Sequence, residues 1–147
     1  MGAVEAIYLG HAEGATADRV ERVRVVEGRG AEGDRHFAAH EPGNGDDLTL
    51  IEAEAVEGLL GDTGIDMRDG SHLRNVVTRG VALNDLVGKP FRVGEVRCVG
   101  VERCDPCRRL ERMTENGVLK GLVKRGGLRA DVVTGGEIAV GDAVEEV

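Results

Sequence analysis

With 147 residues, the sequence has the length of one domain that can bury a hydrophobic core, and we expect a single domain over residues 1–147. Its 41% hydrophobic and 31% charged residues are ordinary for a soluble globular protein, and no apolar run approaches the roughly 18 residues that a membrane-spanning helix needs. The net charge of −8 and the near absence of aromatic residues argue against nucleic-acid binding, which uses basic surfaces and stacking side chains.

Patterning predicts two strands and two glycine-rich segments in the first third of the chain. Val4–Leu9 and Arg19–Val26 alternate apolar with polar residues, as half-buried strands do. Gly28–Asp34 is predicted to turn, and Glu41–Asp47 is predicted to be a mobile loop because it combines proline, asparagine and two glycines.

The middle of the chain is predicted to mix short strands with helices. Leu48–Ile51 has the pattern of a strand that leads into a helix over Glu52–Leu60, which Gly61 would end. Leu73–Val77 predicts a further strand, and Leu83–Val87 predicts a single helical turn.

The second half is predicted to contain a hairpin, two short helices and a strand-rich tail. Phe91–Val101 predicts the hairpin, and Arg108–Met113 and Val118–Val123 predict the helices. The tail strands are predicted at Leu128–Val133, Ile138–Val140 and Ala143–Val147. Short strands between glycine turns predict a mainly β fold with short helices, in which an antiparallel or mixed sheet curls into a barrel.

The charges are distributed unevenly along the chain. From Lys89 to Arg129 there are eleven Lys and Arg against five Asp and Glu, a local balance of +6, whereas the remainder carries −14. A local basic surface on an acidic protein suits a small anionic ligand or a partner protein. The same side chains could also simply decorate a solvated helix.

The segment Cys104-Asp105-Pro106-Cys107 lies between the predicted hairpin and the helix that follows it. Asp105 suits the N-cap of that helix, and Pro106 suits its first position, where a missing N–H is harmless. Cys107 would then lie in the first turn, where unpaired backbone N–H groups favour a thiolate. Cys107 is therefore the candidate catalytic or metal-binding thiol.

The other two cysteines leave alternatives open. Cys98 lies on a predicted strand and is expected to be a core residue. Cys104 could be a resolving thiol that forms a dithiol redox pair with Cys107, or a buried residue at a strand end. The N-terminus lacks the basic and apolar regions of a signal peptide, so we expect a cytoplasmic protein, in which a disulfide framework is unlikely.

Two polar segments contribute further candidate site residues. Asp34, Arg35 and His36 place an acid, a base and an imidazole at the end of the glycine turn, although Asp34 could equally cap the turn and pair with Arg35. Arg125 and Arg129 flank a pair of glycines, an arrangement suited to a phosphate-like group.

Arg74 and Asn75 lie beside an otherwise apolar predicted strand. Side chains alternate along a strand, so one of the two polar residues is expected to face the core unless the strand borders a cleft. A buried guanidinium needs an anionic or carbonyl partner. That partner could be a ligand phosphate or an internal carboxylate such as Asp69 or Asp85.

An ordered set of segments resembles the MOSC domain, which is named after the C-terminal domain of molybdenum-cofactor sulfurases. In chain order the matching segments are Gly30–His36, Arg74–Val81, Leu86–Gly88, Phe91–Gly94, Cys104–Cys107 with Leu110, Arg125–Arg129 and Gly135–Asp142. They cover roughly residues 20–147. The resemblance implies a strand-rich barrel with a functional cysteine, which Cys107 matches.

The resemblance also implies a cofactor and an activity. In members that act as molybdenum enzymes, the thiolate matched by Cys107 binds the metal of a pterin-type cofactor, and such enzymes resemble reductases of N-hydroxylated compounds. Other members are thought to carry activated sulfur on the cysteine. Asp34 and His36 could supply protons to a reductase. The residues expected to bind the cofactor are Arg35, Arg74, Asn75, Arg125 and Arg129. The pterin carries a phosphate, which would suit the basic residues around Arg74 and from Arg125 to Arg129.

The chain differs from the better-understood members in its extent. Some of those carry an additional N-terminal β domain and others a C-terminal helical extension, and neither is recognisable in this sequence. We therefore expect a short stand-alone member whose site could be completed by a homodimer or by a protein that transfers electrons or sulfur.

Overall fold

Within residues 2–12, 16–106 and 108–147, which a computed structural model describes, the chain forms eleven strands and three α-helices. The side chains of residues 108 and 109 are not described. The strands are β1 (Gly2–Gly10), β2 (Ala17–Val20), β3 (Arg22–Val26), β4 (Gly30–Ala31), β5 (Leu48–Glu52), β6 (Val76–Arg79), β7 (Pro90–Val93), β8 (Val96–Arg103), β9 (Leu128–Thr134), β10 (Gly136–Ala139) and β11 (Ala143–Glu146). The helices are α1 (Ala53–Thr63), α2 (Arg108–Met113), α3 (Val118–Gly121) and a 3-10 turn at Leu83–Leu86.

Seven strands close into a mixed barrel, which confirms the predicted fold class. Their order is β11, β7, β8, β9, β5, β6 and β1, and β1 returns to β11 through the pairs of Gly2 with Val144 and Ala3 with Ala143. All neighbours are antiparallel except β5 and β6. Parallel neighbours require a crossover connection, and α1 lies within that connection.

The strand predicted over Arg19–Val26 is divided at Glu21 in the structure. The first part, β2, pairs with the second half of β1, whereas β3 pairs with β10 and β4 in a separate three-stranded sheet. The Glu21 carbonyl accepts a hydrogen bond from the N–H of Val140, just beyond β10. Alternation alone predicted a continuous strand because the pattern persists through the corner where the chain changes sheet.

Alternating side chains of the barrel strands serve two apolar cores. Leu48 and Leu50 on β5 point into the barrel with Phe91, whereas Ile51 packs outward beneath α1 and the later helices. On β6, Val76 faces inward and its neighbour belongs to the outer core. The outer core holds the helices against the barrel wall and thereby fixes the segments that precede β6 and follow β8.

Two predicted boundaries in the middle of the chain are wrong. The helix α1 continues through Gly61 to Thr63 and ends at Gly64, which has φ +78° and donates its N–H to the Leu60 carbonyl. The strand predicted from Leu73 begins only at Val76, because Leu73 has a left-handed φ of +65° that interrupts extended backbone. No helix in the described ranges is long and apolar enough to cross a membrane.

Candidate functional site

Two adjoining cavities, of about 680 and 270 Å³, open beside the end of β8, and we refer to them together as the cleft. The residues that line both cavities are His36, Asp46, Thr49, Arg74 and Cys104. Asp34, Arg35 and Asn75 line the smaller cavity, and Arg129 lines the larger one. The fold thus gathers the segments before β5, before β6 and after β8 around one cleft.

Arg74 is the buried cation of the cleft, with 7% of its surface exposed. Its guanidinium donates to the carbonyl oxygens of Gly126 (2.9 Å), His72 (3.0 Å) and Cys104 (3.0 Å). A guanidinium carries five N–H groups, so these three bonds leave two that can donate to a ligand. Arg74 therefore joins three separate parts of the chain at the cleft wall.

The positive charge of Arg74 has no carboxylate partner among the described residues. The Arg74 donors go to backbone carbonyls rather than to Asp69 or Asp85, and Asp69 accepts the Ser71 N–H. Burying a charge without a counter-charge is unfavourable even when its donors are hydrogen-bonded. The cleft therefore has a cation that an anionic group would stabilise.

Asn75 is buried beside Arg74, and all the hydrogen-bonding capacity of its side chain is taken up by other residues of the protein. Nδ2 donates to the Tyr8 carbonyl (3.2 Å) and to Asp34 Oδ1 (3.1 Å). Oδ1 accepts from the Thr49 N–H (3.3 Å) and hydroxyl (3.2 Å). Two donors and two acceptor sites are the full capacity of an amide. Asn75 consequently positions Asp34 and has no remaining hydrogen bond for the ligand contact that the family resemblance implied.

Asp34 connects the glycine turn to β1 through hydrogen bonds. In addition to Asn75, Oδ1 accepts from the Gly10 N–H (2.7 Å), and Oδ2 accepts from the His36 N–H (3.1 Å). Both oxygens of Asp34 are thus engaged as hydrogen-bond acceptors within the protein. The geometry therefore suits a structural role for Asp34 better than the expected role of proton donor.

His36 lies in the cleft as a neutral imidazole at neutral pH. Burial, followed by the charge of Arg35, lowers its pKa below the ordinary 6.5. Nε2 accepts a hydrogen bond from Arg35 Nε (3.1 Å), so the ring proton is on Nδ1. His36 can offer this N–H to a ligand, but it is not an effective acid at pH 7.

Arg129 reaches the larger cavity with its charge already balanced. It forms ion pairs with Asp46 and with Glu102 (2.9 Å). A ligand anion would have to compete with two carboxylates for this guanidinium. Arg129 is therefore a weaker candidate for anion binding than Arg74.

Arg125 lies outside the cleft. Its guanidinium donates to the Gly121 carbonyl (2.8 Å) and pairs with Asp62 (2.9 Å) of α1. Other cations of the basic segment also meet acidic residues from elsewhere in the chain; the pairs are Lys89 with Glu146 and Arg92 with Glu145. Four cations of this segment, Lys89, Arg92, Arg125 and Arg129, are thus paired with acidic residues that lie outside it.

The loop predicted to be mobile is tethered to the barrel. Asp131 on β9 accepts hydrogen bonds from the N–H groups of Gly43 (2.6 Å) and Gly45 (2.9 Å). His40 Nδ1 lies 2.7 Å from Oδ1 of the buried Asp47. These contacts hold one rim of the cleft in place.

The sequence carries no functional signal for three of the residues that line the cleft: Asp46, Thr49 and Glu102. Each stands in a segment with ordinary turn or strand composition, so its type alone carried no signal. The only hint was the pair Asp46-Asp47 directly before an apolar strand.

Cys104 lines both cavities, whereas Cys107 lies outside the described residues. The predicted helix is confirmed as α2, but it begins at Arg108, so Pro106 is not its first residue. The Cys104 N–H donates to the Gly127 carbonyl (2.8 Å), which continues the strand-like course of β8.

Cys98 is a core residue, as the sequence predicts. It is 1% exposed and packs inside the barrel. Burial, aided by the negative charges of Asp47 and Asp131, raises its pKa to about 12. Cys98 is therefore an unreactive thiol at neutral pH.

His72 supports Arg74 from outside the cleft, and it makes stability depend on pH. Its Nδ1 accepts the Arg74 N–H (2.9 Å), and burial lowers its pKa from 6.5 to about 3. Between these values the unfolded chain binds a proton that the folded chain excludes. The free energy of unfolding should therefore fall as the pH drops below 6.5, by up to about 1.4 kcal/mol per pH unit.

His72→Asn should remove most of this pH dependence, because an asparagine Oδ1 can still accept the Arg74 N–H without titrating. The measurement is urea unfolding of both proteins at several pH values between 4 and 7. The exposed His11 provides the control His11→Asn, which should retain the wild-type slope. Equal slopes for wild type and His72→Asn would contradict the prediction.

The family and the fold can be compared with known proteins. A family model described as the MOSC domain matches residues 37–145. No curated protein matches the chain at a significant level.

Several solved structures share the fold at low sequence identity. The YuaD protein from Bacillus subtilis has a TM-score of 0.76 and 17% identity, with 99% of this chain and 96% of that chain covered. YiiM from Escherichia coli has a TM-score of 0.73 and 18% identity over 100% of this chain and 70% of its own. YiiM from Geobacillus stearothermophilus has a TM-score of 0.75 and 15% identity, with coverages of 100% and 75%.

The family model spans well over half of the sequence and includes all of β5 to β10. The barrel agrees with the solved structures over nearly the whole chain. The chain therefore belongs to the MOSC domain family.

Proposed function

We propose that the cleft binds a molybdenum cofactor of the pterin type, with the Cys107 thiolate as the protein ligand of the metal. The observation that carries this proposal is the buried Arg74 guanidinium, which faces the cleft without a carboxylate partner among the described residues. A pterin cofactor carries a phosphate, and a guanidinium fork matches phosphate geometry. The donor set at the cleft therefore fits the anionic part of this group.

Each residue has a distinct part in this proposal. Arg74 would bind the phosphate, and His36 would donate its Nδ1–H to an acceptor on the cofactor. Asn75 and Asp34 hold the turn that carries His36. Cys107 follows three residues after Cys104, which lines both cavities. When bound, the cofactor would supply redox chemistry at the metal, and the protein would orient it and exclude water.

The test is to express the chain in a host that makes molybdenum cofactor and to measure bound molybdenum and phosphorus. We expect near-stoichiometric amounts of both in the wild type and loss of molybdenum in Cys107→Ala. Cys104→Ala is the matched control, because it removes a neighbouring thiol without removing the proposed ligand. A wild-type protein without molybdenum, or Cys107→Ala with an undiminished content, would refute the proposal.

A second candidate function is a carrier of persulfide sulfur on Cys107. The observation that favours it over a reductase is that the lowered pKa of His36 makes this ring a poor proton donor, while both oxygens of Asp34 are engaged in holding the glycine turn. A persulfide needs a reactive thiol but no proton donor. Intact-mass measurement should then detect an adduct of about 32 Da that is absent from Cys107→Ala. Either function would need a partner protein that delivers electrons or sulfur.

A dithiol redox role for Cys104 and Cys107 is the third candidate, and the fold makes it the weakest. Such motifs are expected where a strand leads into the helix of a βαβ unit. Here Cys104 follows a strand with antiparallel neighbours on both sides. A reversible disulfide between the two thiols at cellular potentials would nevertheless favour this role over the other two.

A further inference from the structure

We propose that the chain has a second binding site, a cavity between α1 and the outer face of β1 and β6 that takes a small uncharged carbonyl compound with a compact apolar body. The cavity has a volume of about 260 Å³ and shares no lining residue with the cleft. Its walls are lined by four buried apolar residues, Ala6 on β1, Val77 on β6, and Ala53 and Val56 on α1. We refer to it as the helix-side cavity.

The buried hydrogen-bond donor of the helix-side cavity is the imidazole of His72. Only 1% of this residue is exposed, and burial lowers its pKa to about 3, so the ring is neutral at physiological pH. Nδ1 accepts the Arg74 N–H (2.9 Å), which places the ring proton on Nε2. No described residue accepts a hydrogen bond from this Nε2–H. A buried donor without an acceptor is unfavourable, so this group would stabilise a ligand oxygen in the cavity.

The orientation of this imidazole is fixed by the protein itself. In addition to the bond with Arg74, the ring of His72 meets that of Tyr8 edge to face, with 5.5 Å between the centroids and 85° between the planes. The hydroxyl of Tyr8 donates to the Arg68 carbonyl (2.7 Å), and a Cβ at Gly70 would lie only 2.5 Å from the Tyr8 ring. The donor is therefore preorganised, which lowers the entropic cost of binding a ligand.

The charges at the rim of the cavity balance one another. The charged residues of the lining, together with their ion-pair partners, are three basic and three acidic side chains, all exposed: Arg19, Arg68, Arg79, Glu5, Glu57 and Asp66. The neutral ring of His72 adds no charge to this set. A charged ligand would lose its hydration in the apolar interior without meeting a net counter-charge, so the lining favours an uncharged ligand.

The buried donor also selects the polar group of the ligand. A carbonyl oxygen only accepts hydrogen bonds, whereas a hydroxyl or an amine must also find an acceptor for its own proton. The buried part of the lining is aliphatic apart from His72 and Tyr8, and the Tyr8 hydroxyl is already bonded to a backbone carbonyl. The carboxylates of Glu5 and Glu57 are at the exposed rim and are paired with Arg79. A carbonyl compound with an apolar body therefore matches the cavity.

Acetophenone is a suitable probe, and α-methylstyrene, in which a CH₂ group replaces the carbonyl oxygen, is its matched hydrocarbon. Titration of acetophenone followed by nitrogen-detected histidine NMR should show saturable binding, with a change at Nε2 of His72, which is one of only four histidines in the chain.

The variant His72→Asn tests the proposed hydrogen bond. It should weaken acetophenone binding about tenfold, because asparagine can still accept the Arg74 N–H but has no donor at the position of Nε2. Binding of α-methylstyrene does not use this donor and should change by less than about threefold. His11→Asn is the matched control at an exposed histidine, and it should bind both compounds as the wild type does.

The variant Val56→Phe tests the location of the ligand. The larger side chain would occupy the cavity and should weaken the binding of both compounds about tenfold. Val133→Phe is its control, since Val133 is an exposed strand residue outside the cavity, and both affinities should equal those of the wild type.

The proposal is overturned if acetophenone shows no saturable binding, or if Val56→Phe binds it as tightly as Val133→Phe does. Equal weakening of both compounds by His72→Asn would show that the donor has no part in binding and would overturn it as well. Benzoate that bound as tightly as acetophenone would contradict the assignment to an uncharged ligand. None of these measurements requires molybdenum cofactor, so their outcome is separate from that of the cofactor test.

Discussion

Arg74→Lys is expected to lower the free energy of unfolding by about 2–4 kcal/mol and to abolish retention of the proposed cofactor. Lysine keeps the positive charge but lacks the planar fork. It can replace at most part of the hydrogen bonding to the Gly126, His72 and Cys104 carbonyls. These carbonyls come from three separate segments, so their loss should loosen the cleft wall as well as the anion site.

The measurements are urea unfolding followed by circular dichroism, and phosphorus content after expression in a cofactor-producing host. Arg97→Lys is the control for the arginine-to-lysine change on an exposed strand, and it should alter stability by less than about 0.5 kcal/mol. Wild-type phosphorus content in Arg74→Lys would show that cofactor retention does not depend on the guanidinium fork of Arg74. If its stability were unchanged, the three carbonyl contacts would contribute nothing to the fold.

Asn75→Asp is expected to destabilise the protein by about 3–5 kcal/mol at pH 7, although the two side chains have nearly the same shape. The change replaces the Nδ2 donor with an oxygen that faces two acceptors, Asp34 Oδ1 and the Tyr8 carbonyl. Two hydrogen bonds become repulsive contacts in a buried position. The glycine turn with His36 should therefore move away from β1.

The destabilisation of Asn75→Asp should diminish as the pH is lowered. The charge of Asp34 and burial would raise the pKa of the new carboxyl in the folded state, so the folded variant binds a proton that the unfolded chain lacks. Its relative stability is then greatest at low pH and is lost as the pH rises. Asn84→Asp is the control, because Asn84 is exposed and donates only to the Lys124 carbonyl. A pH-independent difference would disprove this explanation.

Sequence patterning predicted those helices and strands that are determined by residues adjacent in the sequence. The hairpin of β7 and β8 and the helix α2 lie where alternation, glycine turns and helix-forming residues indicated them. The mixed barrel followed from the number of short strands. Boundaries that depend on distant contacts were missed, such as the division of Arg19–Val26 between two sheets.

The sequence indicated several of the residues that line the cleft, but it did not indicate which hydrogen bonds they make. Arg74 was recognised as a cation that needs a partner, but no linear pattern could show that its partners are backbone carbonyls from residues about 30 and 50 positions away. The family resemblance implied a cofactor contact for Asn75, and its hydrogen-bond partners Tyr8 and Thr49 meet it only in the folded barrel. The type of a residue suggests which interactions its side chain can make. Its neighbours in the folded protein determine which of those interactions remain available to a ligand.

The pairing of β1 with β11 has a consequence for biosynthesis. Gly2 and Ala3 pair with Val144 and Ala143, so the barrel can close only after β11 has been synthesised. During translation, the N-terminal half of β1 has an unpaired edge until that last strand has left the ribosome. Exposed edges of this kind promote association with other chains. Slow synthesis of the segment that leads to β11 would therefore lengthen the period in which this edge can associate with other chains.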